Sequence, residues 1–99
     1  MMSAVPTQKL LTVQQSARLA RDARVLRSLG HLGLTVLDLV HRPLEGEEVS
    51  SEYHVRASDS GQLFRALYEL EKAVPGVAVC SLRRVVREEA VARRPGALS

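Results

Sequence analysis

Residues 52–86 constrain the fold most, because their pattern changes from strand to helix and back to strand. Polar and apolar residues alternate over 52–58, which is typical of a strand with one solvent-exposed face. Apolar residues then recur at helical spacing, and Asp59 with Gln62 matches a capping box. Pro75 ends this helix, and a β-branched run follows it. The segment therefore predicts a strand, a helix and a second strand.

The residues before this segment predict one more helix and one more strand. Apolar residues from Leu11 to Leu29 project onto one side of a helix that begins at Thr7 or Thr12 and ends near Leu29, with a left-handed cap available at Gly30. Residues 34–41 predict an apolar strand, and the short acidic loop after Pro43 favours an antiparallel hairpin. The predicted helix carries arginines on its outer side: Arg18, Arg21, Arg24 and Arg27.

The predicted elements define a domain of the α+β class. A helix that joins two strands in a right-handed crossover makes those strands parallel, and a ferredoxin-like sheet places one antiparallel strand between them. The sequence offers no obvious segment for that position. We therefore predict a permuted, incomplete ferredoxin-like αββαβ domain with two helices on one face of a small, mainly antiparallel sheet. This domain covers residues 7–87, between flexible tails at 1–6 and 88–99.

The sequence predicts neither catalysis nor a metal site. Its three histidines lie in different segments, and symmetric pairing of the hairpin places His54 near Asp38 without a nucleophile to complete a catalytic group. The single cysteine, Cys80, excludes an internal disulfide and alternates with Leu82 on the predicted core face. No run of about 18 apolar residues occurs, so no membrane span is predicted. We expect no catalytic residue, metal or cofactor.

Part of the chain resembles the periplasmic ferredoxin-like domain of the PilO and GspM families. The resemblance lies in the strand at 34–43, the alternating strand of Tyr53, Val55 and Ala57, and the helix at 63–71 closed by residues 74–77. Members of these families are inner-membrane scaffolds of type IV pilus assembly and type II secretion, which form homodimers or heterodimers with a protein of similar fold. The resemblance implies a location on the periplasmic side of the inner membrane, with an anchor outside this chain. Without it we expect a cytoplasmic location.

These observations favour a non-enzymatic assembly module that dimerises through its sheet or its helices, without a small-molecule substrate. The light core, with only 3% aromatic residues, favours partner surfaces that cover the sheet. The residues expected in the core or the interface are Val36, Leu37, Leu39, Val79 and Leu82.

Two other classes remain open. One is an ACT-like regulatory domain, in which a small ligand lies at a dimer interface near a glycine-containing loop between the first strand and the first helix. The predicted N-terminal helix disfavours that class. The other is nucleic-acid binding through the four arginines of the predicted helix. The sequence lacks the exposed aromatic residues of an RNA-binding sheet, so nucleic acid is not the expected partner.

Overall fold

The computed structural model describes residues 6–85, which form a four-stranded antiparallel sheet and three helices. The sheet order is β2-β3-β1-β4. The elements are β1 (Thr7–Ser16), α1 (Ala17–Arg21), α2 (Arg24–His31), β2 (Thr35–Pro43), β3 (Glu48–Ala57), α3 (Ser60–Ala73) and β4 (Ala78–Arg84). This architecture confirms the predicted α+β class and the ferredoxin-like sheet. The predicted tail at 88–99 and most of the tail at 1–6 lie outside the described residues.

The predicted N-terminal helix is wrong for its first ten residues, which form β1. Leu11, Val13 and Gln15 are buried, whereas the residues between them are half-buried or exposed, so the true period is two. The helix begins only at Ala17, where Ser16 Oγ accepts a hydrogen bond of 3.1 Å from the amide of Leu19. β1 pairs with β3 on one side and β4 on the other. It therefore occupies the position for which no strand was predicted, and β3 and β4 run parallel to each other as expected.

The helical region after β1 differs from the prediction in two further respects. It is divided into α1 and α2 at Ala23, whose left-handed backbone (φ 56°) interrupts the helix. It also extends to His31, past the predicted end near Leu29. The left-handed residue after the helix is Gly33 (φ 91°) and not Gly30. A Cβ atom at Gly33 would lie 2.5 Å from Nε2 of Gln62, but that atom ends a flexible side chain, so the positive φ is the main reason for glycine there.

The helix α3 follows its sequence signals closely. Asp59 Oδ1 accepts a hydrogen bond of 2.8 Å from the amide of Gln62, which confirms the predicted cap. The Gln62 side chain accepts in turn from the amide of Ser58 at 2.6 Å, one residue before the position of an ideal capping box. Leu63, Ala66 and Leu70 are buried against the sheet. The crossover from β3 to β4 is thereby packed over the strands.

The β2–β3 hairpin has the predicted register, with Asp38 opposite His54. A bulge between Val36 and Asp38 leaves Leu37 without an opposite residue in β3. A second irregularity lies between β1 and β4, where Cys80 is the unmatched residue. Cys80 is exposed, so its predicted place on the core face is wrong. The bulge breaks the strict alternation on which that prediction relied.

The two faces of the sheet are covered differently. The helix face holds the core, in which odd-numbered residues of β1 and β3 pack against α2 and α3. On the opposite face Leu10 is also buried, although none of the three helices within residues 6–85 covers it. Around it, Arg83 pairs with Glu52 at 2.8 Å and Gln8 lies 2.8 Å from Nε2 of His54. Long polar side chains around Leu10 thus shield it from water.

Candidate interaction surface

The edge strand β2 presents exposed apolar side chains. It pairs with β3 on one side, and no strand within residues 6–85 pairs with its other side. Leu37, Val40 and Leu44 on and beside it are 44%, 40% and 43% exposed. An edge of this kind presents free backbone groups and apolar side chains to another chain.

The predicted interface or core residues fall into two groups. Val36, Leu39, Val79 and Leu82 are half-buried and pack against the core, whereas Leu37 projects from the β2 edge. Val40 and Leu44 were missing from the predicted set. Both residues lie close to Leu37 in the same apolar segment, which was the available signal. That β2 is an edge strand could not be predicted, because it depends on β1 pairing with the other side of β3.

Asp38 forms a hydrogen bond with the backbone of the β2 edge. Its Oδ1 accepts a hydrogen bond of 2.9 Å from the backbone amide of Leu39. Residues opposite one another in an antiparallel ladder either exchange both backbone bonds or exchange none. The Leu39 amide donates to a side chain of its own strand and not to β3. We therefore assign the backbone groups of Leu39 to those that face away from β3. Asp38 therefore satisfies one of the outward backbone groups of the free edge.

The helix α3 presents a second exposed apolar surface, which was not predicted from the sequence. Phe64 and Tyr68 are 61% and 67% exposed, and Nζ of Lys72 lies 4.0 Å from the centre of the Tyr68 ring. These residues are four positions apart along the helix, so they share one side of it. The available signal was that two of the three aromatic residues fall outside the apolar stripe of this helix.

A buried polar cluster lies on the helix face, where β1 ends. Nε2 of Gln15 donates to Ser51 Oγ at 2.9 Å and to the Tyr53 hydroxyl at 3.0 Å. Its Oε1 is buried and has no hydrogen-bond partner among the described residues. Nδ1 of His41 lies 2.6 Å from Ser51 Oγ, at the exposed rim of the cluster. This serine–histidine pair is not arranged for nucleophilic catalysis, because Ser51 is fully buried and a substrate cannot reach its hydroxyl.

Burial raises the pKa of Tyr53 above its ordinary value, and the hydrogen bonds with Gln15 and Ser51 oppose this only in part. The unfolded chain ionises this tyrosine near its ordinary pKa of about 10, while the folded chain keeps the proton. The contribution of Tyr53 to stability is therefore complete below about pH 10 and is lost as pH rises through the folded pKa.

We therefore expect the folded domain to ionise Tyr53 at higher pH than the unfolded chain. The variant Tyr68→Phe leaves Tyr53 as the single tyrosine, so tyrosinate absorbance reports on it alone. A pH titration of this variant should have its midpoint above that of the same variant in urea. Equal midpoints would contradict the burial of the hydroxyl.

The remaining predicted or conceivable sites have no supporting geometry. The four arginines Arg18, Arg21, Arg24 and Arg27 are all exposed, and they are divided between α1 and α2. In the described part of the chain, no three histidine, cysteine, aspartate or glutamate side chains are close enough to hold a metal ion. Within residues 6–85 no helix combines the length and apolar character needed to cross a membrane.

Fold and surface together define a small α+β domain of the ferredoxin type. No protein-family model and no curated protein matches the chain. Among solved structures, an unknown protein from Galdieria sulphuraria is similar, with 23% sequence identity and a TM-score of 0.61. The match covers 83% of this chain and 46% of the other, so this chain spans less than half the length of that protein.

Two further solved structures are similar along most of their own length. The C-terminal domain of the MgtC protein from Mycobacterium tuberculosis is 15% identical, with a TM-score of 0.55, and the match covers 91% of this chain and 96% of that domain. The ACT domain from GTP pyrophosphokinase of Chlorobium tepidum is 10% identical, with a TM-score of 0.53, and the match covers 84% and 88%. At these identities the likeness shows the fold alone.

The position of β1 bears on the ACT-like class. The ACT-like class was disfavoured because the chain was expected to begin with a helix, whereas the domain begins with β1 and continues into α1. The junction at Ser16 and Ala17 still lacks glycine. The ACT-like fold is therefore present without the glycine-containing loop associated with ligand binding in that class.

Proposed function

We propose that this chain is a non-enzymatic association domain with an ACT-like fold, which forms dimers through exposed apolar surface. The observation that carries the proposal is the free edge of β2. On this strand or directly after it lie three of the five exposed large hydrophobic residues of the described chain: Leu37, Val40 and Leu44. Pairing of this edge removes apolar side chains from water and satisfies outward backbone groups at the same time. A scaffold role in secretion or pilus assembly is one setting for such a domain, supported by the resemblance to PilO and GspM.

Sedimentation of the purified chain from micromolar to millimolar concentration tests this proposal. We expect the mean mass to rise from that of a monomer to that of a dimer, because one strand pair buries little surface and gives a modest affinity. A monomer at every concentration would contradict self-association. The mass of the undigested chain in the same sample confirms that it stays intact.

A small-ligand role is the second candidate, and Gln15 is the observation that favours it. Its unpartnered Oε1 is buried where β1 meets α1, the region that holds the ligand in the ACT-like class. A thermal-shift screen with the common amino acids tests this role, since a ligand that binds the folded state raises the unfolding temperature. The neighbouring exposed substitution Gln14→Ala serves as the control for any hit that Gln15→Ala removes.

A further inference from the structure

We infer that two copies of this domain join through antiparallel pairing of their β2 strands, in a register centred on Val40. The inference rests on the proposed self-association and identifies its surface and its partner, a second copy of this chain. It starts from three residues on one face of β2. Asp38, Val40 and Arg42 are all exposed, and they lie opposite the half-buried residues His54, Glu52 and Ser50 of β3.

The order of these three residues is self-complementary. When two β2 strands run antiparallel about a two-fold axis at Val40, each Val40 faces the other, and Asp38 of each copy faces Arg42 of the second. One apolar contact is then flanked by two ion pairs. Centring the axis on Leu39 places Asp38 opposite Val40, and centring it on His41 places Asp38 opposite Leu44. Among these neighbouring registers, only the one centred on Val40 pairs the opposite charges.

The backbone of β2 suits this register. The bulge lies between Val36 and Asp38, so residues 38–43 form a regular ladder with β3. In the paired state Leu39 faces His41 of the second copy, and their outward backbone groups exchange hydrogen bonds. The amide of Leu39 then no longer needs the Asp38 carboxylate that accepts from it at 2.9 Å in the single domain. That carboxylate becomes available to Arg42 of the second copy.

The ends of the strand limit the pairing to a short ladder. Pro43 has no amide proton and faces the bulged Leu37 of the second copy, which stops the ladder there. Because a two-fold axis perpendicular to the sheet keeps both sets of helices on the same side, the product is one eight-stranded sheet with a single helical layer. The exposed Phe64 and Tyr68 on α3 stay outside this contact.

Charge reversal at positions 38 and 42 tests the register. Asp38→Arg places like charges opposite each other twice per dimer, and Arg42→Asp does the same, so each variant should weaken dimerisation about tenfold or more. The double variant Asp38→Arg/Arg42→Asp restores opposite charges and should recover most of the affinity. Arg27→Asp, on the exposed side of α2, is the control and should change little.

A cross-linking experiment tests the same register without changing charge. Directly opposed residues without backbone bonds have Cα atoms about 4.5 Å apart, which falls within the range of a disulfide. In a Cys80→Ser background, Val40→Cys should therefore form a disulfide-linked dimer under mild oxidation. Leu44→Cys, which faces Val36 and not itself, should form much less.

The outcomes separate the register from the proposed function. A wild-type chain that dimerises but responds neither to charge reversal nor to Val40→Cys overturns the β2 register and leaves self-association intact. Loss of dimerisation in Phe64→Ser, with charge-reversal variants unaffected, assigns the contact to α3 and also overturns the register. A wild-type chain that stays monomeric contradicts the proposed function itself.

Discussion

Leu11→Ala should lower the free energy of unfolding by about 3 kcal/mol, because it removes most of a fully buried side chain at the centre of the sheet. Leu11 faces Tyr53 in β3 and Leu82 in β4 on the core side. A domain of this size has about 5–15 kcal/mol of stability in total, so the loss is a large share of it. Urea unfolding followed by circular dichroism measures the change.

The neighbouring positions of β1 provide the matched comparison. Val13→Ala should also be costly, by about 2 kcal/mol, since Val13 is fully buried. Thr12→Ala, on the opposite face, should cost less than about 1 kcal/mol. Residues 11 and 13 lie on different sides of a helix but on the same side of a strand. A cost at Leu11 without one at Val13 would therefore contradict the strand.

Gln15→Glu should destabilise the domain by about 4 kcal/mol at pH 7, although the two side chains have nearly the same shape. The position is fully buried, and the two hydrogen bonds of Gln15 are to the hydroxyls of Ser51 and Tyr53. Burial disfavours a carboxylate and raises its folded pKa, while the unfolded pKa stays near 4.3. Each pH unit between 4.3 and 7 then costs about 1.4 kcal/mol if the folded group keeps its proton.

The pH dependence separates this effect from a loss of packing. Because the folded pKa of the introduced carboxyl is raised, the penalty should be smallest below about pH 4.3 and should grow as pH rises toward the folded pKa. Unfolding in urea at pH 4 and pH 7, compared with wild type at each pH, measures the difference. Gln14→Glu, on the exposed neighbour, should show no such dependence. A constant penalty at both pH values would contradict the burial of this side chain.

The parts of the fold that the sequence predicted correctly are those with local signals. Asp59 and Gln62 mark the start of α3, and Pro75 marks its end, independently of the rest of the chain. The β2–β3 register also follows from a short loop, which is why Asp38 is opposite His54 as predicted. These features depend on residues close together in sequence.

The strand β1 was not predicted because its pattern of apolar residues fits both a helix and a strand. Leu10 and Leu11 are adjacent and both buried, each on a different face, so the apolar alternation is hidden. Gln15 is polar but fully buried, which no periodicity argument anticipates. Its environment is formed by β1, β2 and β3 together. Only the pairing of β1 with two distant strands decides the conformation of this segment.

The candidate surface was predictable only in part for the same reason. The apolar character of β2 is evident from its sequence, but the identity of the free edge depends on where β1 lies. Cys80 was placed wrongly because a bulge against β1 shifts the alternation of β4. The exposure of Phe64 and Tyr68 depends on which side of α3 faces the sheet.

The central place of β1 has a consequence for how the molecule reaches its native state. Leu11 faces Leu82, so β1 cannot form its hydrogen bonds with β4 until the roughly 60 residues between the two strands have been synthesised and folded. Contacts between segments that are distant in sequence slow folding. Until β4 pairs with it, β1 exposes apolar residues and is prone to aggregate. Newly made chains should therefore depend on rapid synthesis as far as β4, or on chaperones, more than a helical bundle of the same size would.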